Sequence, residues 1–408
     1  MSDFSYADFQ KRLFSAHPYL DQGRQPESLV TGDYDGGLIL SNSPDNPQIA
    51  PLFIRFETVQ EMKAAGGLDD EWCANQKRPL RPPYRQAGLD LGALEPYDPA
   101  ICAAFQAYMY GDSRRVKDWE EVINFKRFPM RVALYTGAEI VVSKDHPLII
   151  KDENGLGDPV VVSYERIKIL PGGKVLFQTN ATLAGGTVII EPSSTSDLNI
   201  ENIGGSGGAG VNGAGGSNGQ DGSNGGEGCS GGSGTDGTGG ANGTDGGHGS
   251  DAKYIQLKFE LVTGTIKALS QGGNGGNGGN GGGGGRGGKG GNAGKTNKSS
   301  KNLNGGSGGK GGNGGDGGNG GNGGNGGEIN IIYNKSEKPV EARAIGGSAG
   351  SGGAGGAGGA GGAGGSASGG GQGGTGGSPG TSGSKANAGQ PGIPGSVYIN
   401  GVPLPVQG

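Results

Sequence analysis

Residues 204–249 contain no proline, although every third residue there is glycine. This excludes collagen, whose triple helix needs proline or hydroxyproline at about a fifth of its positions to stiffen each chain. Aromatic residues make up 6% of the 408-residue chain and apolar residues 31%, too little for one ordinary core of this length. The three cysteines, Cys73, Cys102 and Cys229, are odd in number and far apart, so no disulfide framework is expected. No apolar run approaches the ~18 residues that cross a bilayer. The net charge of −5 gives no case for nucleic acid or an anionic membrane as partner. The opening residues, MSDFSYADFQKRLF, do not read as a signal peptide. The expected location is therefore a virion or the extracellular space after non-classical release, and otherwise the cytoplasm.

What the chain has is glycine, 99 residues of it, most of them in three blocks: 204–249, 272–327 and 346–395. From Gly272 the pattern tightens to GGX, with Asn274, Asn277, Asn280, Arg286 and Lys289 at X. A period of three belongs to the polyproline II helix, neither to the α-helix nor to the strand. Without Cβ atoms, several such helices from one chain pack side by side through N–H···O and Cα–H···O contacts, with X residues on the remaining edge. A free glycine chain loses much entropy on ordering, so disorder is the competing outcome. The strict spacing argues against it.

Each block reads as a hairpin. Residues 293–304 interrupt the middle block, and the other midpoints fall near Glu227–Cys229 and Ser366–Gly371. Six arms of similar length result, each spanning ~60 Å at ~3.1 Å per residue. Between blocks the period changes to two. Tyr254–Leu261 alternates Ile255, Leu257, Phe259 and Leu261 against Tyr254, Gln256, Lys258 and Glu260, which predicts a half-buried strand. Thr265–Leu269, Glu328–Tyr333, Val340–Ile345 and Ser396–Asn400 complete a repeat of roughly 70 residues, in which a short β-unit carries a glycine hairpin.

Three domains are expected. Residues 1–130 read as an α+β domain for attachment or an effector role. It has helices near Ser5–Phe14, Thr58–Ala65 (with a Thr58/Glu61 capping box), Pro99–Tyr110 and Val116–Phe125, the last two with Asp98 and Asp118 as N-caps. Residues 131–203 read as a β-rich connector, either solenoid rungs or a sandwich. Its strands are Arg131–Tyr135, Glu139–Ser143, Leu148–Lys151, Pro159–Ser163, Arg166–Leu170, Lys174–Phe177 and Thr187–Glu191, with turns at Pro171-Gly172-Gly173 and Gly185-Gly186. Residues 204–408 read as the polyglycine II bundle anchored by stacked β-units.

No constellation carries catalysis, and no cofactor or metal is expected. In GGNAGKT, Lys289 stands where a phosphate loop needs its first glycine, and no apolar strand precedes it. Asp152–Asp158 has the look of a calcium loop, but Leu156 holds a ligand position and the twelfth-place Glu is missing. Cys229 and His248 fall at opposite ends of one arm, too far apart for a nucleophile pair. Asn180-Ala181-Thr182 matches a glycosylation sequon by pattern only. The chemically rich stretch is the middle turn. There Lys295, Thr296, Asn297, Lys298, Lys301 and Asn302, with Ser299 and Ser300, are candidate binding residues, and lysines as point charges suit an acidic glycan or phosphate.

Long GGX tracts with loops at their turns resemble the tip adhesins of T-even bacteriophage long tail fibres, over residues 204–395. The resemblance implies a non-enzymatic surface- or receptor-binding protein, of the tail-fibre type or a recognition module of a secreted toxin. It also implies a cell-surface receptor or glycan as partner and attachment to a fibre or carrier protein through residues 1–130. The alternatives are a structural, self-assembling matrix protein and an ice-binding protein, the latter sharing the bundle logic of small springtail antifreeze proteins.

Overall fold

The computed structural model describes residues 4–15, 27–75, 93–153, 157–192, 197–296 and 301–405. It combines mixed α and β structure, with 17 strands and five α-helices among those residues. In chain order the first strands are β1 (Ser28–Val30), β2 (Leu38–Ser41), β3 (Leu52–Phe56), β4 (Met130–Val142), β5 (Leu148–Lys151), β6 (Val160–Ile169), β7 (Val175–Phe177), β8 (Ala181–Ile190) and β9 (Ile200–Ile203). Then follow β10 (Ile255–Thr263), β11 (Lys267–Gln271), β12 (Asn302–Leu303), β13 (Ile329–Ser336), β14 (Glu341–Ile345), β15 (Ser368–Gly369), β16 (Val397–Ile399) and β17 (Val402–Pro403).

From β4 to β11 successive strands alternate between two sheets. One has the order β1-β4-β6-β8-β10-β13-β16-β17 with β3 added to β4, and the other β14-β11-β9-β7-β5-β2. Pairing along both sheets is parallel except for β3 and β17. The chain therefore winds as a coil in which equivalent positions stack. Ala133, Val160, Ala181, Ile255, Ile329 and Val397 lie in one column, all buried in the coil core. Leu148, Val175, Ile200 and Ala268 form a column opposite. Apolar stacking at period two holds the turns in register, because a one-residue slip would turn each of these side chains outward. β1 and β2 form the first turn, so the sheet structure crosses residue 130 and begins at Ser28.

Several expectations are corrected here. Arg131–Tyr135 and Glu139–Ser143 belong to one strand, β4, as Pro159–Ser163 and Arg166–Leu170 belong to β6. Gly185-Gly186 is not a turn but lies inside β8. The physical reason is a corner shared by successive turns. The ladder passes from Gly137↔Tyr164 to Glu139↔Arg166 and from Tyr164↔Gly185 to Arg166↔Thr187, leaving Ala138, Glu165 and Gly186 unpaired at the bend. A Cβ on Gly185 would sit 2.9 Å from the Tyr164 carbonyl oxygen, so glycine lets the corners stack closely.

A further correction concerns the outer face. Gln256 and Lys258, expected toward solvent, are 0% and 6% exposed. Helices α1 (Tyr6–Ser15), α2 (Val59–Gly66), α3 (Asp70–Asn75), α4 (Pro99–Tyr110) and α5 (Glu120–Arg127) form a second apolar cluster against the first halves of the long strands. Tyr110 of α4 stacks on Tyr254 at 3.7 Å. Thr58 caps α2 through the Glu61 N–H, while the Glu61 carboxylate accepts from Glu57 N–H, one residue ahead of the expected partner. Asp98 caps α4 as expected. Asp118 caps nothing; a 3-10 turn over Ser113–Trp119, capped by Asp112, leads into α5.

The glycine blocks leave the second sheet and return to the first. Block one departs after β9 and re-enters at β10, block two runs from β11 to β13, and block three from β14 to β16. Their six arms (residues 204–226, 230–251, 272–294, 305–327, 346–366 and 371–395) pack in two rows of three. Arms one, three and five run outward, and Gly207 N–H donates to Asn274 and Gly275 N–H to Ser348. Arms two, four and six return, bonded likewise from Gly234 to Ser307 and from Gly308 to Thr375. Antiparallel bonds tie the rows together, as from Thr244 to Val211, Gly279 to Thr244, Gly318 to Gly279, Gly353 to Gly318 and Gly383 to Gly356.

Glycine content follows this packing. Arms three and four each have four hydrogen-bonded neighbours and carry two glycines per triplet; arms one and six have two neighbours and carry one. In arm three a Cβ on Gly278 would lie 1.9 Å from the Gly318 oxygen, and one on Gly279 2.0 Å from the Val211 oxygen. In arm one a Cβ on Gly208 would meet nothing within 4 Å.

Candidate functional site at the distal turns

The two rows bring the three hairpin turns together at the end away from the coil. Turn one is Glu227-Gly228, where Gly228 has a φ of +72°. Turn two contributes β12 and turn three β15, and these pair antiparallel, Asn302 opposite Gly369 and Leu303 opposite Ser368. Leu303 is buried, an apolar anchor beneath an otherwise polar tip. Lys301 Nζ donates to the Gly228 carbonyl at 2.8 Å, tying turn two to turn one. Gly228 N–H donates back to the Lys295 carbonyl at 3.0 Å.

Of the expected binding residues, Lys295, Thr296, Lys301 and Asn302 converge here. Lys295, Lys301 and Asn302 are exposed. Thr296 lies beside turn three, its Cγ2 3.2 Å from where a Cβ on Gly369 would sit. Asn297 and Lys298, with Ser299 and Ser300, lie outside the described residues. Lys301 therefore uses one ammonium N–H to hold turn two against turn one.

Sequence reasoning missed what the X residues do. Asn212, Asn218, Asp221 and Asn224 of arm one accept from the N–H of Asn280, Arg286, Lys289 and Asn292 of arm three. Asn274, Asn277, Asn280 and Asn292 do the same for Ser348, Ser351, Ala354 and Ser366 of arm five. The other face repeats the device, as from Lys310 N–H to Asp236 and from Thr381 N–H to Asn313. Each side-chain oxygen stands in for the missing backbone partner on the surface of the bundle. The enrichment of Asn and Asp at X was the available signal.

The other motifs resolve as structure. Asp152 accepts from Asn42 Nδ2 and from the N–H groups of Gly157 and Asp158, while residues 154–156 of that segment lie outside the described residues. Asn180 is buried, bonded to the Gly157 carbonyl and the Tyr254 N–H. His248 Nδ1 accepts from Asn322 N–H, near the base of the bundle, while Cys229 is exposed at the tip. Cys102 lies 3.7 Å from Arg127, but burial pushes its thiol upward, opposite to an activated nucleophile. Arg127 is spoken for by Asp158 and by the Tyr97 and Phe105 rings, each 4.9 Å away. No helix among the described residues is long and apolar enough to cross a membrane. The chain matches no protein-family model, no curated protein and no solved structure.

Proposed function

We propose that this is a non-enzymatic surface- or receptor-binding protein, adhesin-like, in which polyglycine II arms form a rigid spacer and the distal turns make the contact. The observation that carries this reading is the convergence of three turns, 73 residues apart at Gly228 and Lys301, on one cationic, hydrogen-bonding tip. Loops held by a rigid scaffold are the usual place for recognition, because little ordering entropy is left to lose on binding. The partner is a cell-surface receptor or glycan. Residues 1–130 are the part that attaches to a fibre or carrier protein, as the resemblance to tail-fibre tip adhesins implies. The protein then works on a virion or outside the cell.

The matrix reading would have arms of neighbouring molecules add to the bundle edges. Both edges oppose this. On one, the hydroxyls of Thr235, Thr238 and Thr244 take the N–H of Gln220, Ser217 and Val211. On the other, arm six carries Pro379, Pro391 and Pro394, which have no N–H to offer. These are the devices that blunt sheet edges elsewhere.

The test is saturable binding of the labelled full chain to intact bacterial cells. Lys295→Ser with Lys298→Ser should remove most of the binding while leaving the melting curve unchanged. Undiminished binding by that variant moves the contact away from the turns.

A further inference from the structure

The side-chain ladder of the outward row is interrupted at three consecutive triplets. Arm three there carries Gly283, Arg286 and Lys289, none of which offers an oxygen to arm five. The N–H groups of Ala357, Ala360 and Ala363 accordingly have no acceptor among the described residues. At the first of these triplets arm one carries Gly215, so the Gly283 N–H is left open too. The ladder register puts Gly215, Gly283 and Ala357 side by side, a notch across three arms in a face otherwise studded with Asn and Ser. Backbone packing does not require glycine at these two sites. A Cβ on Gly215 or Gly283 would have its nearest neighbour at 3.7 Å, whereas inner glycines meet carbonyl oxygens at about 2 Å.

The notch thus has a floor of small residues and the open N–H donors of Gly283, Ala357 and Ala360. The exposed Arg286 stands one triplet nearer the tip, ~9 Å along the arm. The N–H groups of Gly283, Ala357 and Ala360 are unmatched donors, and the Arg286 guanidinium fork matches a planar carboxylate. Asp221, the nearest acid on this face, lies a further triplet away and takes the Lys289 N–H. We propose that this notch binds the carboxylate of an acidic, uronate-bearing glycan, whose chain then lies along the column of Arg286, Lys289 and Lys295 toward the tip. The proposal rests on the surface-binding reading and adds a ligand class and a second contact.

The experiment is calorimetric titration of the full chain with a linear oligogalacturonate, a neutral cello-oligosaccharide and an oligophosphate. Uronate binding is expected, and Gly283→Asn should weaken it at least tenfold. That variant puts into the notch the acceptor that Asn280 and Asn292 supply elsewhere, so its melting temperature should stay level or rise. Arg286→Gln should weaken binding to a similar extent. The proposal is overturned if no uronate binds, if the oligophosphate binds more tightly, or if Gly283→Asn binds like the parent. It is also overturned if only replacement of Lys295 and Lys301 abolishes binding. The surface-binding reading fails separately, through absence of binding to cells.

Discussion

Lys301 and Gly228 lie 73 residues apart in sequence, yet the lysine ammonium donates to the glycine carbonyl at 2.8 Å. The contact exists because two arms of nearly equal length carry their turns to the same height. Replacing Lys301 by Met should free turn one without loosening the arms. Amide exchange is expected to accelerate at Gly228 and Cys229 and to stay slow at Gly279 and Gly312.

The interior of the bundle has no room for a side chain. A Cβ on Gly312 would lie 1.9 Å from the Thr238 oxygen, and one on Gly318 2.0 Å from the Thr244 oxygen. Gly312→Val or Gly318→Val must separate arms and break several hydrogen bonds at ~1 kcal/mol each, for a loss of about 3 kcal/mol or more. Asn313→Val removes only the bond to Thr381 N–H and should cost about 1 kcal/mol. Urea unfolding of the three variants measures the contrast.

Lys258 links stability to pH. Burial lowers its pKa from 10.5 to about 7, with Arg12 a secondary cause, while Nζ donates to the Gly66 carbonyl at the end of α2 and lies 5.4 Å from the Phe9 ring. Between pH 7 and 10.5 the unfolded chain binds more protons at this site than the folded one. Stability from this group therefore rises with pH across that window, and the penalty is fully present below pH 7. Raising the pH from 7 to 9 should stabilise the parent by about 2 kcal/mol more than Lys258→Met, as read by chemical unfolding at each pH.

The bundle edges should govern association. With Thr235, Thr238 and Thr244 all changed to Val, three edge N–H groups lose their caps. The variant is expected to form larger species in sedimentation runs at concentrations where the parent does not.

The arms were legible in the sequence because excluding Cβ from a contact leaves glycine as a permanent mark at every third residue. The coil core was legible from alternation, as at Ile255, Leu257 and Phe259, which stack in it. Alternation could not reveal that helices cover the other face, so Gln256 and Lys258 read as solvent-facing. The unity of β4, β6 and β8 was hidden because a corner within a strand and a turn between strands use the same residues. The ladder went unread because Asn at X looks like a solvated surface until the neighbouring arm is in place. Within the candidate site, the lysines of the middle turn stood out by charge, whereas the anchor Leu303 and the Gly228 carbonyl gain meaning only from three-dimensional proximity.

The most direct measurement is a pulsed electron–electron distance between turns. Cys229 is exposed in turn one, while Cys73 is buried and Cys102 partly so. Nitroxides on Cys229 and on a cysteine introduced at Asn302 report whether the turns meet. One rigid six-arm bundle with a composite tip predicts a single narrow distribution near ~20 Å, far below the ~60 Å length of an arm. A broad distribution reaching toward the arm length would mean independently moving hairpins and would contradict the account.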